Sequence, residues 1–251
     1  MKSFLTLLLF CVSSLHAAIR TEAVSYKDGD QELEGFVGWD DSISSARPGV
    51  LVVHDWTGLQ DYAKDRAKQL AALGYVAFAA DIYGKDVRPV DPKECAVCAG
   101  KYRNDLPLLR RRVVAAMEQL KARKETDAKR LGAIGYCFGG TCALELARSG
   151  ADVRGVVSFH GGLATTLPAA PGTIKARILV CHGGADEHVN KEVPAFKEEM
   201  AKSQAKMEFV TYEGAQHGFT KPGKAYQEKA DKESWAAMEK FFREVFATEI
   251  K

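Results

Sequence analysis

Six short apolar runs constrain this chain more than any other feature. They are Gly49–His54, Tyr75–Ala80, Leu131–Gly135, Gly155–Phe159, Arg177–His182 and Met207–Tyr212, each rich in Val, Ile or Ala and each of strand length. Unbroken apolar runs of this kind suit strands buried on both faces. Between most of them, Asp61–Leu73, Asp105–Lys124, Gly139–Ser149, Val193–Ser203 and Tyr226–Phe246 place apolar residues at three- and four-residue spacing, which is the pattern of a helix with one buried side. Alternation of the two predicts an α/β fold with a mostly parallel central sheet and helices on both faces. Residues 22 to 38 instead alternate around Lys27-Asp28-Gly29-Asp30 and predict an N-terminal antiparallel hairpin at the sheet edge. In such sheets ligands bind beyond the carboxyl ends of the strands, so chemistry is to be sought just after each run.

No repeat, low-complexity tract or linker divides the chain, so residues 19–251 are read as a single domain. Residues 1–18 are expected to be a cleaved signal peptide: Met1-Lys2 is followed by the apolar Phe4–Val12, too short to span a bilayer, and then by small residues ending in Ala17-Ala18. The expected location is secreted or periplasmic, with no membrane association once the leader is gone. With 35 Lys and Arg against 33 Asp and Glu the formal charge is +2, and no basic stretch is dense enough to follow a phosphate backbone, so nucleic acid is not an expected partner. Oligomeric state is not legible.

Loss of the leader removes Cys11 and leaves Cys95, Cys98, Cys137, Cys142 and Cys181, an odd set with at least one free thiol. Cys95 and Cys98 form a CxxC that this reading places in a loop. No second CxxC or histidine pair completes a zinc ligand set, so no metal is expected, and a local disulfide is the expectation in an oxidising compartment. Two plain small residues are the alternative.

Cys137 differs from the other cysteines in its setting. Leu131–Ile134 runs into Gly135-Tyr136-Cys137-Phe138-Gly139-Gly140, and a helical pattern begins directly afterwards. This G-x-C-x-G is the cysteine form of the nucleophile elbow, in the strand–turn–helix context that the motif requires. The glycines permit a tight turn that pushes the sulfur above the sheet, and the helix N-terminus favours thiolate. A thiol nucleophile needs a base, and the base needs a group to hold its tautomer. His217 lies in a glycine-bracketed loop after the last apolar run, and Asp186 follows the run before it. The chain order of nucleophile, acid and base is the same as in the α/β-hydrolases. Glu187 is an alternative acid, while His54, His160 and His188 read as hydrogen-bonded core or loop residues.

The sequence resembles the dienelactone hydrolase (carboxymethylenebutenolidase) family from Glu22 to about Phe246. The motifs that carry the likeness are the GYCFGG elbow, GGADEHV, GAQHGF, VVHDWTGL and DIYG. The resemblance implies an α/β-hydrolase fold, a Cys137–Asp186–His217 triad, an oxyanion hole formed by the backbone N–H groups of Phe138 and Trp56, and an acidic residue, Asp55, beside the thiol. Where the family carries arginines that clamp a substrate carboxylate, this chain has Lys85 and Lys221, with Arg88 as a nearby substitute. Lysine keeps the charge but loses the two-pronged fork, so the two are candidate substrate-binding residues or ordinary surface charges.

A thiolate suits activated acyl groups with weakly basic leaving groups. The leading expectation is therefore a cofactor-independent hydrolase of small activated esters or lactones acting through an acyl-thioester. A general carboxylesterase or thioesterase, a non-catalytic small-molecule binder of the same fold, and a redox sensor at Cys137 are the alternatives.

Overall fold

The computed structural model describes residues 19–247. The expected leader, residues 1–18, lies outside the described residues.

The N-terminal hairpin is present as β1 (Ile19–Asp28) and β2 (Gln31–Asp40), paired antiparallel around Gly29 at φ 60°. The chain then alternates. In order come β3 (Arg47–Val53), α1 (Asp61–Ala72), β4 (Val76–Ala80), α2 (Pro92–Arg103), α3 (Leu106–Lys121), β5 (Thr126–Tyr136), α4 (Phe138–Arg148), β6 (Gly155–Phe159), β7 (Arg177–Gly183), α5 (Glu187–Asn190), α6 (Val193–Lys202), β8 (Met207–Tyr212) and α7 (Glu228–Ala247). The eight strands form one sheet in the order β1-β2-β4-β3-β5-β6-β7-β8. From β4 to β8 every neighbouring pair is parallel, and β2 joins the edge of β4 antiparallel. The fold class read from the alternation is the observed one.

Five of the six apolar runs are buried on both faces, as at Val50 to Val53, all fully inaccessible, whereas Met207–Tyr212 is the edge strand β8 and buries only Tyr212. Side chains of one strand parity pack with α2, α3, α4 and α6, among them Leu51, Phe78, Leu109, Leu144 and Phe196. Those of the other parity pack with α1 and α7, among them Val52, Ile134, Leu70, Met238 and Phe242. Two apolar layers thus clamp the sheet, and the carboxyl ends of β3 to β8 are left open together along one edge.

One element departs from the sequence reading. The CxxC is not in a loop but inside α2, a helix whose apolar periodicity is weak. Asp91 caps it by accepting from the amides of Lys93 and Glu94, and Pro92 occupies its first turn. The expected disulfide is likewise not formed in this structure, where Cys95 and Cys98 are free thiols. Cys95 is buried with its Sγ donating to the Pro89 carbonyl at 3.5 Å, while Cys98 is half-buried three residues further along the helix.

Candidate active site

At the end of β5 the chain turns into α4 through a single residue, Cys137, held at φ 53° and ψ −112°. A non-glycine residue there is strained, and such strain persists only where the surroundings over-determine it. The flanking glycines supply that constraint. A Cβ on Gly135 would lie 1.9 Å from the Gly139 carbonyl oxygen, and one on Gly139 would lie 2.2 Å from that of Val53. Strand, turn and helix are packed backbone to backbone, which lifts Cys137 out at the sheet edge, half-buried, at the helix N-cap.

His217, in the loop after β8, places Nε2 3.0 Å from Cys137 Sγ. Its Nδ1 donates to Oδ2 of Asp186 at 2.7 Å. Asp186 caps the short helix α5, where its Oδ1 accepts from the Val189 amide at 3.1 Å, and it is 4% exposed. Glu187 is exposed and is not the partner. The structure therefore brings together the three residues read from the sequence, and of the two acids it selects Asp186. Burial works against charge on Asp186, yet the bonds from His217 and Val189 hold its pKa below the ordinary carboxylate value. Burial likewise works against the imidazolium of His217, but Asp186 and Cys137 outweigh it and raise the pKa to about 10. A histidine so placed can hold a proton taken from the sulfur and deliver it to an atom bonded nearby.

Beneath His217 lies His160, at the end of β6, with ring centroids 5.4 Å apart. It is buried, pairs through Nε2 with Thr220 Oγ1 at 2.7 Å, and is pushed down to about 3 by burial first and then by His217. It is a neutral packing partner rather than a second base.

The Cys137 thiol opens into a cavity of about 680 Å³ whose lining includes Trp56, Arg103, Leu106, Thr141, Thr165 and Glu192. One wall, the loop after β6, is held at several points. Glu192 accepts from the amides of Leu163 and Ala164 at 2.6 and 3.0 Å, and the buried Arg148 donates to the Leu163 carbonyl at 2.7 Å.

The expected substrate lysines are not in this lining. Lys85 is exposed and contributes its backbone amide to the Glu32 carbonyl. Lys221 donates instead to the carboxylate of Asp55 and stands 3.4 Å from Thr57 Oγ1. Asp55 is thus turned to Lys221 and to the amide and hydroxyl of Thr57, which offset the cost of burying it and lower its pKa. Asp55 too is absent from the cavity lining that holds Cys137. Arg88 is directed at Asp81 and at the carbonyls of Gly84 and Val87. The guanidinium that does face the cavity is that of Arg103, at the end of α2, over the ring of Phe138 at 5.6 Å. It was missed because α2 was missed, although Asp91-Pro92 is a helix start signal. Among the described residues no group of three or more His, Cys, Asp or Glu side chains is placed to hold a metal ion, and no helix is long and apolar enough to cross a membrane.

A strand–Cys137–helix elbow after β5, Asp186 after β7 and His217 after β8 on a mostly parallel sheet are the arrangement of an α/β-hydrolase fold. Comparison with known proteins narrows the class. The sequence model of the dienelactone hydrolase family matches residues 33–246, and the chain belongs to that family. A protein of Bradyrhizobium sp. named "Probable 2-oxo-3-(5-oxofuran-2-ylidene)propanoate lactonase" is 31% identical over 77% of this chain and 82% of its own length. Among solved structures, a dienelactone hydrolase-like promiscuous phosphotriesterase from metagenomic libraries is 38% identical with a TM-score of 0.85, covering 92% of this chain and all of that one. The dienelactone hydrolase of Anabaena variabilis is 26% identical with a TM-score of 0.64, covering 88% of this chain and 98% of that one. The protein is a hydrolase of the dienelactone hydrolase type.

Proposed function

We propose that the chain hydrolyses small activated esters or lactones by acyl transfer through Cys137. The observation that carries this reading is the line Cys137 Sγ, His217 Nε2, His217 Nδ1, Asp186 Oδ2, with spacings of 3.0 and 2.7 Å, at the edge of a substrate-sized cavity. His217 takes the thiol proton and Asp186 holds the imidazolium that results. The thiolate attacks the acyl carbon, and the oxyanion is received by the N–H groups of Phe138, first residue of α4, and Trp56. Collapse expels the alkoxide or enolate, which leaves with the proton from His217 Nε2. The acyl-thioester on Cys137 is then attacked by a water deprotonated by the now neutral His217, and the thiolate is regenerated. All bonds are made and broken by side chains of this chain and water, so the reading requires no cofactor.

Arg103 is the one Arg or Lys in the cavity lining, and the two carboxylates there are already engaged, Asp186 by His217 and Glu192 by the amides of Leu163 and Ala164. A substrate with an acidic group on its acyl part would meet Arg103, which supports an anionic ester or lactone over a neutral one. A phosphotriester belongs in the same panel, because the 38% identical neighbour is titled a promiscuous phosphotriesterase. The test is a panel of aryl esters, enol lactones and phosphotriesters assayed with wild type and Cys137→Ala side by side. Turnover of an ester or lactone by wild type and its loss in the variant is the expected result. Failure of wild type to turn over any of them would reject the reading.

A further inference from the structure

His54, the residue directly after β3, is 1% exposed and makes two hydrogen bonds. Its Nδ1 lies 2.6 Å from the carbonyl oxygen of Asp55, and its Nε2 lies 3.2 Å from the backbone nitrogen of Ile82. A carbonyl only accepts and an amide N–H only donates, so both bonds specify one form of the ring, neutral with its proton on Nδ1. Burial favours the same form by pushing the pKa below the ordinary histidine value. The ring is packed edge-on against Tyr83 at 4.8 Å and stacked near Phe138 at 6.0 Å, so its orientation is set from two sides.

The carbonyl that His54 grips belongs to the peptide group whose N–H is that of Trp56. This peptide is trans, and in a planar trans peptide C=O and N–H point in opposite directions. Drawing the oxygen toward the His54 ring therefore turns the Trp56 N–H away from it. The Gly58 amide shares the same carbonyl at 3.2 Å, and the next carbonyl, that of Trp56, accepts from the Tyr83 hydroxyl at 2.9 Å. Of these anchors, His54 is the one side chain that acts on the Asp55–Trp56 peptide itself.

We propose that His54 is a positioning residue that aims the Trp56 N–H at the oxyanion developing on the substrate at Cys137. This rests on the reading of Trp56 as an oxyanion donor. The role does not involve proton exchange with the substrate, since both ring nitrogens are already engaged. It depends on Nδ1–H alone; the bond to Ile82 ties the ring to the segment after β4.

The test compares kcat and KM for an activated ester with the rate at which iodoacetamide alkylates Cys137, in wild type, His54→Leu, His54→Asn and His54→Gln. Asparagine can place an N–H near the Nδ1 position, whereas glutamine reaches only the Nε2 position. Loss of a whole oxyanion donor costs about 10²–10³ in kcat, so the Leu and Gln variants are expected to lose roughly ten- to a hundredfold, with KM within about twofold. Alkylation builds no oxyanion and is expected to proceed at the wild-type rate in all of them. The Asn variant is expected to recover most of kcat. Wild-type kcat in His54→Leu, equal losses in Asn and Gln, or alkylation falling in step with kcat would each overturn the proposal. If His54→Leu does not fold, the Asn and Gln pair decides. Replacing the amide at residue 56 by an ester, which removes only its N–H, separates the two layers. Unchanged kcat there rejects the role of Trp56 and this inference with it, whereas a fall in kcat alongside an unaffected His54→Leu rejects His54 alone.

Discussion

Lys221 directs its ammonium to the carboxylate of Asp55 and away from the cavity that Cys137 opens into. The Asp55 side chain is 6% exposed and that of Lys221 is 37% exposed. The pair belongs to the structure of the loop after β3, which carries Trp56. Lys221→Met is therefore expected to act on stability, leaving Asp55 with Thr57 as donor at a cost of about 1–3 kcal/mol, toward the low end because Lys221 is partly solvated. Asp55 is held below its ordinary pKa, so the stability gap between wild type and variant is present above the carboxylate range and closes as pH falls through it. Urea midpoints from pH 7 down to pH 3 measure it. An unchanged midpoint at pH 7 would show the pair to be energetically idle.

Substrate charge is expected to be read by Arg103 instead. For an ester carrying a carboxylate on its acyl part, Arg103→Met is expected to lower kcat/KM by about tenfold, the lower end of a charge-assisted hydrogen bond because Arg103 is solvent-exposed. The neutral isostere should change little, and Lys85→Met should change neither. Measuring both esters with both variants decides between the two cations. Equal losses on the charged and neutral esters would remove Arg103 from substrate recognition.

The fold could be read from the sequence, whereas the partners of the long cationic side chains could not. The parallel sheet was legible because strands buried on both faces leave continuous apolar runs, and Cys137 was legible because its turn cannot be built without Gly135 and Gly139. Position along the chain placed His217 and Asp186 at strand ends. What a residue type cannot tell is where a long side chain turns. Lys85, Arg88 and Lys221 sit in loops at the carboxyl edge, but their partners, Asp55 among them, lie up to 166 positions away. α2 was illegible for another reason: its buried residues Cys95, Ala99 and Tyr102 form a thin stripe, too sparse to stand out as an apolar helical pattern. His54 reads in the sequence as a hydrogen-bonded core histidine, which its two ring bonds fit, and the direction of its Nδ1 bond is what the sequence does not carry.

His217 is expected to titrate near 10 in the resting enzyme, with the Cys137 thiolate and the Asp186 carboxylate both favouring its charged form against the cost of burial. Alkylation of Cys137 removes the first of these and leaves the second. NMR titration of the His217 imidazole should then show a midpoint lower by about one to three pH units after carbamidomethylation. The linked contribution to stability has the same sign: it is present in full below the unfolded value of 6.5 and is lost as pH rises through about 10. An unmoved midpoint would mean that Cys137 does not couple to His217.

Gly135→Ala is expected to break the elbow, because a methyl group 1.9 Å from the Gly139 carbonyl forces β5 and α4 apart. A loss of several kcal/mol, about 3 or more, follows from overpacking at a backbone contact that cannot yield. Thermal unfolding measures it, together with the rate of Cys137 alkylation. A variant with wild-type melting and wild-type thiol reactivity would contradict the packing described here.

In the proposed reaction Cys137 carries the acyl group. Rapid quenching during turnover of an activated aryl ester, followed by intact and peptide mass spectrometry, tests it directly. The expected result is one acyl adduct that maps to Cys137, absent from Cys137→Ala, with kcat in that folded variant lower by several orders of magnitude, as when a triad nucleophile is lost elsewhere (~10⁶ in subtilisin). Hydrolysis by Cys137→Ala at the wild-type rate, with no acyl group on Cys137 in the wild type, would contradict it.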